Sequence, residues 1–336
     1  MAVTMKDVAA PAGVSTPTVS RVINDSSYVN AETRAKVLAA IEALQYVPNH
    51  MAGSLRAQRT KTLALLVPDI ASSFWTSVSR GVEDEATSRG YHVFLGNTDD
   101  DPEKEARYVD GLLRRRIDGL VIAPTRRSTP LLRRLQQQDM QIVIVHRSFA
   151  DVEIDTVRSD AYTGAVLLTQ HLLGAGRRRI AFIGSEFERN RLAGYRDTLA
   201  AAGHAPEREL VQIGPLSQSA GEQLVGNLLA LATPPDAVLI GHNRLALGAL
   251  HALARANQRE PGRIAIAAFY DPAALSTYAP PMVAAIQPAY EIGRYGARRL
   301  ISRLAGMPVE GRELILANRI VIVRDAATPP IEVAVG

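Results

Sequence analysis

The 336-residue chain contains no cysteine and a single tryptophan. Without cysteine there is no disulfide, no thiolate zinc site and no cysteine nucleophile. Also missing is any apolar run near the roughly 20 residues that a membrane span needs. Met1 to Lys6 runs straight into a polar helical pattern and lacks the apolar core of a signal peptide, so no membrane partner and a cytoplasmic location are expected. Neither charge sign dominates: the net charge is +4, which leans only weakly toward a polyanionic partner. Catalytic signatures are absent too. There is no GxxxxGK[ST] phosphate loop, no HExxH and no GxSxG elbow. The seven histidines show no metal-ligand spacing. Gly174-Ala175-Gly176 precedes an apolar strand rather than following one, and so reads as a helix end. The arginine runs 114–116 and 177–179 read as solvated helix ends. No enzyme, cofactor or metal is expected.

What is present is 47% hydrophobic sequence, enough for one small and one large domain with separate cores. Met5, Val8, Ala9 and Ala12 have helical spacing, and Gly13 can close that helix. Ser15 or Thr16 offers an N-cap, and Pro17 suits a first turn, where its missing N–H costs nothing. The second helix then runs to about Ile23, with Val19, Val22 and Ile23 inward. Asn30 caps a third helix whose expected apolar stripe is Val37, Leu38, Ile41 and Leu44. Three short helices with a tight glycine turn between the first two match a helix-turn-helix, whose second helix enters the major groove. Thr16, Pro17, Thr18, Ser20 and Arg21 would face the DNA. Arg21 suits guanine or phosphate, Pro17 a thymine methyl, and Thr18, Ser20 and the Ser15 backbone suit phosphates. On pattern alone the same helices also read as a three-helix cap with a solvated polar face.

The run KDVAAPAGVSTPTVSRVIN, with Thr33-Arg34, Val37, Tyr46, Pro48 and Asn49 beyond it, resembles the head-piece of the LacI/GalR (lactose-repressor) family. The similarity continues along almost the whole chain. It implies a cytoplasmic transcription repressor, dimeric on a pseudo-palindromic DNA operator and controlled by a small molecule. One departure is Pro11, in the last turn of the first helix. An interior proline costs about 3 kcal/mol, so that helix is expected to end or bend early, which either loosens the head-piece or is tolerated because Gly13 ends the helix anyway.

Asn49 to Thr60 reads NHMAGSLRAQRT, which taken alone is a small, polar, basic linker. The resemblance makes it a hinge helix that orders on DNA and enters the minor groove. Leu55 would wedge the central base step. Asn49 belongs to the same DNA-reading segment. Ala52 would let two hinges approach closely, and Arg56 and Arg59 would reach phosphates. Gly53 weakens that helix by up to about 1 kcal/mol. A regulator that keeps the fold but binds DNA weakly, through Pro11 and Gly53, is the alternative.

From Thr62 onward, apolar strands alternate with amphipathic helices. Strands are expected at Leu63–Val67, His92–Leu95, Gly119–Ala123 and Ile142–Val145, then at Ile180–Ile183, Ala237–Ile240, Ile264–Ala268 and Val283–Ile286. Continuous apolar strands between helices mean a parallel sheet covered on both faces, and two series mean two doubly wound α/β lobes. Ligand is expected in the cleft at the carboxyl ends of the strands. The resemblance implies a periplasmic-binding-protein-like sensor whose lobes exchange segments. Residues 62–160 plus 287–318 form one lobe, and 161–286 plus 319–328 the other. The domains then run 1–48, 49–61 (hinge) and 62–328. No leucine heptad follows Arg324, so nothing in the tail suggests a tetramer.

The resemblance also places effector contacts at Phe74 and Trp75, Arg147, Asp160 and Arg191, the last in an Arg-Leu-Ala-Gly-Tyr match. Trp75 equally reads as core. Three positions depart from the family pattern: His146 replaces an aspartate, His242-Asn243 replaces Asn-Asp, and Tyr270 replaces the first of two acids, leaving Asp271. A cleft that loses carboxylates but keeps Arg147 and Arg191 suits an effector carrying carboxylate or phosphate, such as a sugar acid or phosphosugar. A neutral sugar held by other groups remains the equal alternative.

Overall fold

The computed structural model describes residues 3–23, 28–46, 60–149, 151–204, 207–259, 263–270, 281–324 and 329–333. The positions expected at Asn49, Ala52, Gly53, Leu55, Arg56, Arg59 and Asp271 lie outside them. The chain divides into two compact units, with the boundary between Thr60 and Lys61.

In the first unit, α1 spans Met5–Ala12, α2 Thr16–Ile23 and α3 Ala31–Ala43. Asp7 starts α1 by accepting from the Thr4 N–H (2.8 Å) and the Thr4 hydroxyl (2.6 Å), satisfying a donor the helix cannot use itself. Gly13 ends it in the left-handed region at φ +64°. The Gly13 N–H donates to Ala10 O (3.2 Å) and the Val14 N–H to Ala9 O (3.1 Å), the paired bonds of a Schellman stop. Pro11 sits inside this helix and exposed. The expected early end is therefore corrected: α1 continues through Pro11 to Ala12, because the proline lies one residue before the last and faces solvent. Asn30 caps α3 by accepting from the Thr33 N–H at 2.8 Å. The core joins Val8, Val19, Val22, Val37, Ala40 and Tyr46. Leu38 is a second correction, being 51% exposed. The stripe runs Val37, Ala40, Ile41, Leu44, the i, i+3, i+4, i+7 positions, and Leu38 lies about 100° round the helix from Val37.

The second unit carries two sheets. The first contains β1 (Thr62–Val67), β2 (His92–Asn97), β3 (Gly119–Ile122), β4 (Gln141–Val145), β5 (Asp155–Ser159) and β11 (Glu313–Leu316). Its order is β11-β5-β4-β3-β1-β2, all parallel. The second holds β6 (Ile180–Gly184), β7 (Val211–Ile213), β8 (Ala237–Ile240), β9 (Ala265–Ala268), β10 (Met282–Ile286), β12 (Arg319–Val323) and β13 (Ile331–Glu332). Its order is β13-β12-β10-β9-β8-β6-β7, antiparallel only at the two β12 pairings. Every expected strand is present. The additional β5, β7, β11 and β13 are short, polar or at sheet edges, which hides them from an apolar-run criterion, whereas β12 (RIVIV) is an interior strand as apolar as β4.

Alternation along β1 shows why the runs are continuous. Leu63, Leu65 and Val67 pack with α4 (Ser73–Ser88) and α11 (Ala289–Leu304). Ala64 and Leu66 pack with α5 (Pro102–Arg114) and α6 (Thr129–Gln137) on the other face. The second sheet is likewise covered by α7 (Ala161–Gly174) and α8 (Arg189–Ala201) on one face, and by α9 (Gln218–Leu229) and α10 (Asn243–Arg259) on the other. Helices α4 and α11 approach closely: a Cβ at Gly81 would lie 2.1 Å from Tyr290 O, and one at Gly293 2.0 Å from Val78 O. Arg303 anchors the end of α11 with two bonds to buried Asp155, at 2.9 and 3.0 Å. Arg178 of the 177–179 run is exposed, but Arg179 pairs with Glu207 and Glu209, so that run does more than face solvent.

The chain passes between the sheets after β5, after β10 and after β11. Side chains stitch these crossings together. The Ser159 hydroxyl donates to Gln287 Oε1 at 3.0 Å, and Asn318 Nδ2 to Asp160 O at 2.6 Å.

Candidate DNA-reading helix and interlobe cleft

Helix α2 turns Val19 and Val22 into the core, which leaves Ser15, Thr16, Pro17 and Arg21 exposed and Thr18 and Ser20 half-buried. The Ser15 carbonyl accepts from the Thr18 and Val19 N–H groups, and the Ser15 and Thr18 hydroxyls lie 3.0 Å apart. The result is one small polar surface ending in a cation, which suits phosphate and base edges.

In the second unit, the strand ends bring Phe74, Trp75, His146, Arg147, Arg191, His242 and Tyr270 toward one cleft. Phe74 starts α4 half-buried, its ring centroid 4.9 Å from that of Trp75 and 4.9 Å from that of His146. Trp75 is 7% exposed and belongs to the core, so it backs Phe74 rather than offering a face to solvent. Its ring meets His146 edge-on at 5.2 Å. His146 follows β4 at φ +71°, and the Arg147 N–H reaches over it to Val145 O at 2.9 Å. This is a γ-turn with a positive central φ, a strained conformation for any residue but glycine. Its Nδ1 is buried and has no hydrogen-bond partner. Burial, and then the charges of Arg191, Arg147 and Arg126, hold its pKa down to about 3.

Two nominated groups are already engaged. Arg147 forms a two-armed pair with Asp100, at 2.8 and 3.2 Å, and donates to Pro124 O at 2.7 Å. Asp160 caps α7, its Oδ1 accepting from the Thr163 N–H at 3.0 Å. Arg191, on α8, is 5% exposed. It donates to Gly241 O and, at 3.2 Å, to Gln287 Oε1, with its guanidinium 4.2 Å from the Phe269 ring centroid. Burial lowers its pKa to about 10. His242 accepts from the Arg244 N–H through Nδ1 at 3.0 Å, and its Nε2 lies 3.9 Å from Glu188. Burial and the Arg191 charge push its pKa well below the ordinary histidine value.

Tyr270 lines a cavity of about 50 Å³ with Ser73, Phe74, Ser77, Asn243, Phe269 and Gln287. The lobes meet beside it. Asn243 Nδ2 lies 3.5 Å from Ser72 Oγ, and the Arg126 guanidinium lies 3.4 Å from the Phe187 ring centroid. Gln287, Arg126 and Phe187 were not nominated from sequence. Each lies just beyond the carboxyl end of a strand (β10, β3 and β6), and that position was the signal available for them.

Comparison with known proteins matches residues 60–315 to "Periplasmic binding proteins and sugar binding domain of LacI family" and residues 4–49 to "Bacterial regulatory proteins, lacI family". The chain is 32% identical over 326 residues to the HTH-type transcriptional regulator RegA of Clostridium saccharobutylicum, covering 96% of this chain and 98% of that one. It is 33% identical over 328 residues to Catabolite control protein A of Staphylococcus epidermidis, covering 95% and 98%. Among solved structures, the lac repressor dimer bound to operator and the anti-inducer ONPF superposes with a TM-score of 0.85 at 26% identity, covering 97% and 99%. The transcriptional regulator CelR–cellobiose complex superposes with 0.71 at 32%, covering 95% and 98%.

Proposed function

The chain belongs to the LacI family of bacterial regulatory proteins, and we propose that it is a repressor that binds a pseudo-palindromic operator as a homodimer. In this reading residues 1–48 form the DNA-binding domain, 49–61 the hinge and 62–328 the sensor. A small sugar-like or sugar-acid effector in the interlobe cleft controls it. The observation that carries the DNA-binding half is the exposed polar face of α2, with Ser15, Thr16, Pro17 and Arg21 outward while Val19 and Val22 hold the helix to its core. One such helix reads too few base pairs for useful selectivity, and two-fold pairing doubles the site. α1 continues across Pro11 to Ala12, which supports a folded head-piece in this reading.

The sensor half rests on the crossings. Gln287 Oε1 accepts both from Ser159, on the first lobe, and from Arg191, on the second. A ligand that displaces Arg191 therefore also breaks its bond to Gln287 at the crossing between the lobes. A cavity of about 50 Å³ is far below the roughly 300 Å³ at which ligand sites begin. Entry thus requires the lobes to part at the Asn243–Ser72 and Arg126–Phe187 contacts, and closure on a ligand is the conformational signal.

The test is selection of duplexes from a randomised library by the purified chain at moderate salt, followed by sequencing. Enrichment of a two-fold symmetric sequence supports the reading, and Arg21→Ala should relax the preference at a fixed position in each half-site. No enrichment, with or without a metabolite pool, overturns it.

A further inference from the structure

Among the described residues the cleft holds a buried cation, Arg191, with no carboxylate at ion-pair distance; buried Glu188 acts on it only from further away. Arg191 is 5% exposed, and its hydrogen bonds go to neutral oxygens, Gly241 O and Gln287 Oε1. Among the described residues no carboxylate forms an ion pair with it. Glu188 is the acid whose charge reaches it, but Glu188 Oε2 already accepts from the Ser185 N–H (2.7 Å) and hydroxyl (2.6 Å). Burying a charge without a partner is costly, and proteins retain such a group where a ligand or neighbour completes it.

His146 reports the same imbalance from the opposite lobe. After burial, the influences that keep it neutral are three cations, Arg191, Arg147 and Arg126. Its strained φ of +71° and its buried, unpartnered Nδ1 add a hydrogen-bonding group held in place at a conformational cost. Burial, and after it the Arg191 charge, also keeps His242 neutral. The polar side chains around the cavity (Ser73, Ser77, Asn243, Tyr270 and Gln287) carry no charge. A hydroxylated ligand body finds partners among these, but the guanidinium calls for an anion.

Taking the cleft as the effector site, we propose that the effector is a small hydroxylated molecule bearing a carboxylate or phosphate that pairs with Arg191, with His146 Nδ1 binding the same group or a neighbouring hydroxyl. Phe74 covers the apolar side of the ligand, and Trp75 behind it reports occupancy.

The test uses the full-length chain and three probes at fixed ionic strength: D-glucose, D-glucuronate and D-glucose 6-phosphate. Binding is read from Trp75 fluorescence and Tm. At least one acid should bind, with glucose weaker by on the order of 10- to 100-fold. The two acids separate a carboxylate site from a phosphate site. The variant His146→Asp places a carboxylate at this position in the cleft. It should raise the ligand-free Tm by about 2–4 °C and weaken acid binding about tenfold. Glucose binding as tightly as the acids overturns the proposal. If neither acid binds, the ligand-free arm decides: a rise in Tm on His146→Asp sustains the unmatched charge, and a fall overturns it. The regulator reading fails separately. A chain that binds glucuronate but selects no duplex overturns that reading alone, while duplex selection with a preference for neutral sugar overturns only this proposal.

Discussion

Arg147 grips Asp100 with both arms of its guanidinium, 2.8 Å from Nη1 to Oδ1 and 3.2 Å from Nη2 to Oδ2, and thereby ties β4's end to the loop before α5. Of two arginines nominated for ligand, one is thus neutralised within its own lobe and the other is not. Asp100→Asn should destabilise the sensor only modestly, by about 1 kcal/mol, because both side chains retain partial solvent contact. Urea unfolding followed at Trp75 measures this.

A pH dependence follows from the two cleft histidines. An unfolded histidine takes up a proton near pH 6.5, whereas folded His146 resists until about pH 3. Between those values the unfolded state binds more protons, so stability is complete above about pH 6.5 and is lost as pH falls toward 3. The slope approaches about 1.4 kcal/mol per pH unit for this one group, and His242 adds to it in the same direction. His146→Asn, which cannot take up the proton, should flatten the curve of stability against pH.

The α4–α11 crossing sets a steric limit. Gly293→Ala would drive its Cβ to 2.0 Å from Val78 O. Backbone, unlike the end of a flexible side chain, yields only by moving a helix. A loss of about 1–3 kcal/mol is expected, typical of overpacking. Calorimetry of the variant should show a lower Tm for the sensor with the head unaffected.

Pro11 leaves Asp7's carbonyl without its helical donor, yet α1 ends in good order at Gly13. Pro11→Ala restores that bond and should stabilise the head by up to about 3 kcal/mol, the cost of an interior proline. Amide exchange in residues 5–23 resolves the change.

The central strands such as β1 and β8 were legible because burial on both faces removes alternation and leaves runs such as LALLV. Polar β5 (DTVRS) and the edge strand β7 were not, since nothing in their composition demands a sheet. In the cleft, the rings of Phe74, Trp75 and His146 lie in contact, a neighbourhood that the separation of His146 in sequence does not announce. What sequence did not show was which cations were already matched. Asp100 is 47 residues from Arg147, and Glu188 is turned toward Ser185, three residues before it. Pairings of this kind are fixed by the fold, whereas the presence of a charge is fixed by composition.

In this reading cleft occupancy controls DNA binding. The direct measurement is the affinity of the full chain for its selected duplex, with and without the small-molecule fraction of a bacterial lysate, in the wild type and in Arg191→Met. Coupling of the usual size changes the wild-type affinity by roughly 5- to 150-fold, and the variant should not respond. Equal wild-type affinities under both conditions, with the duplex still bound specifically, would contradict the account.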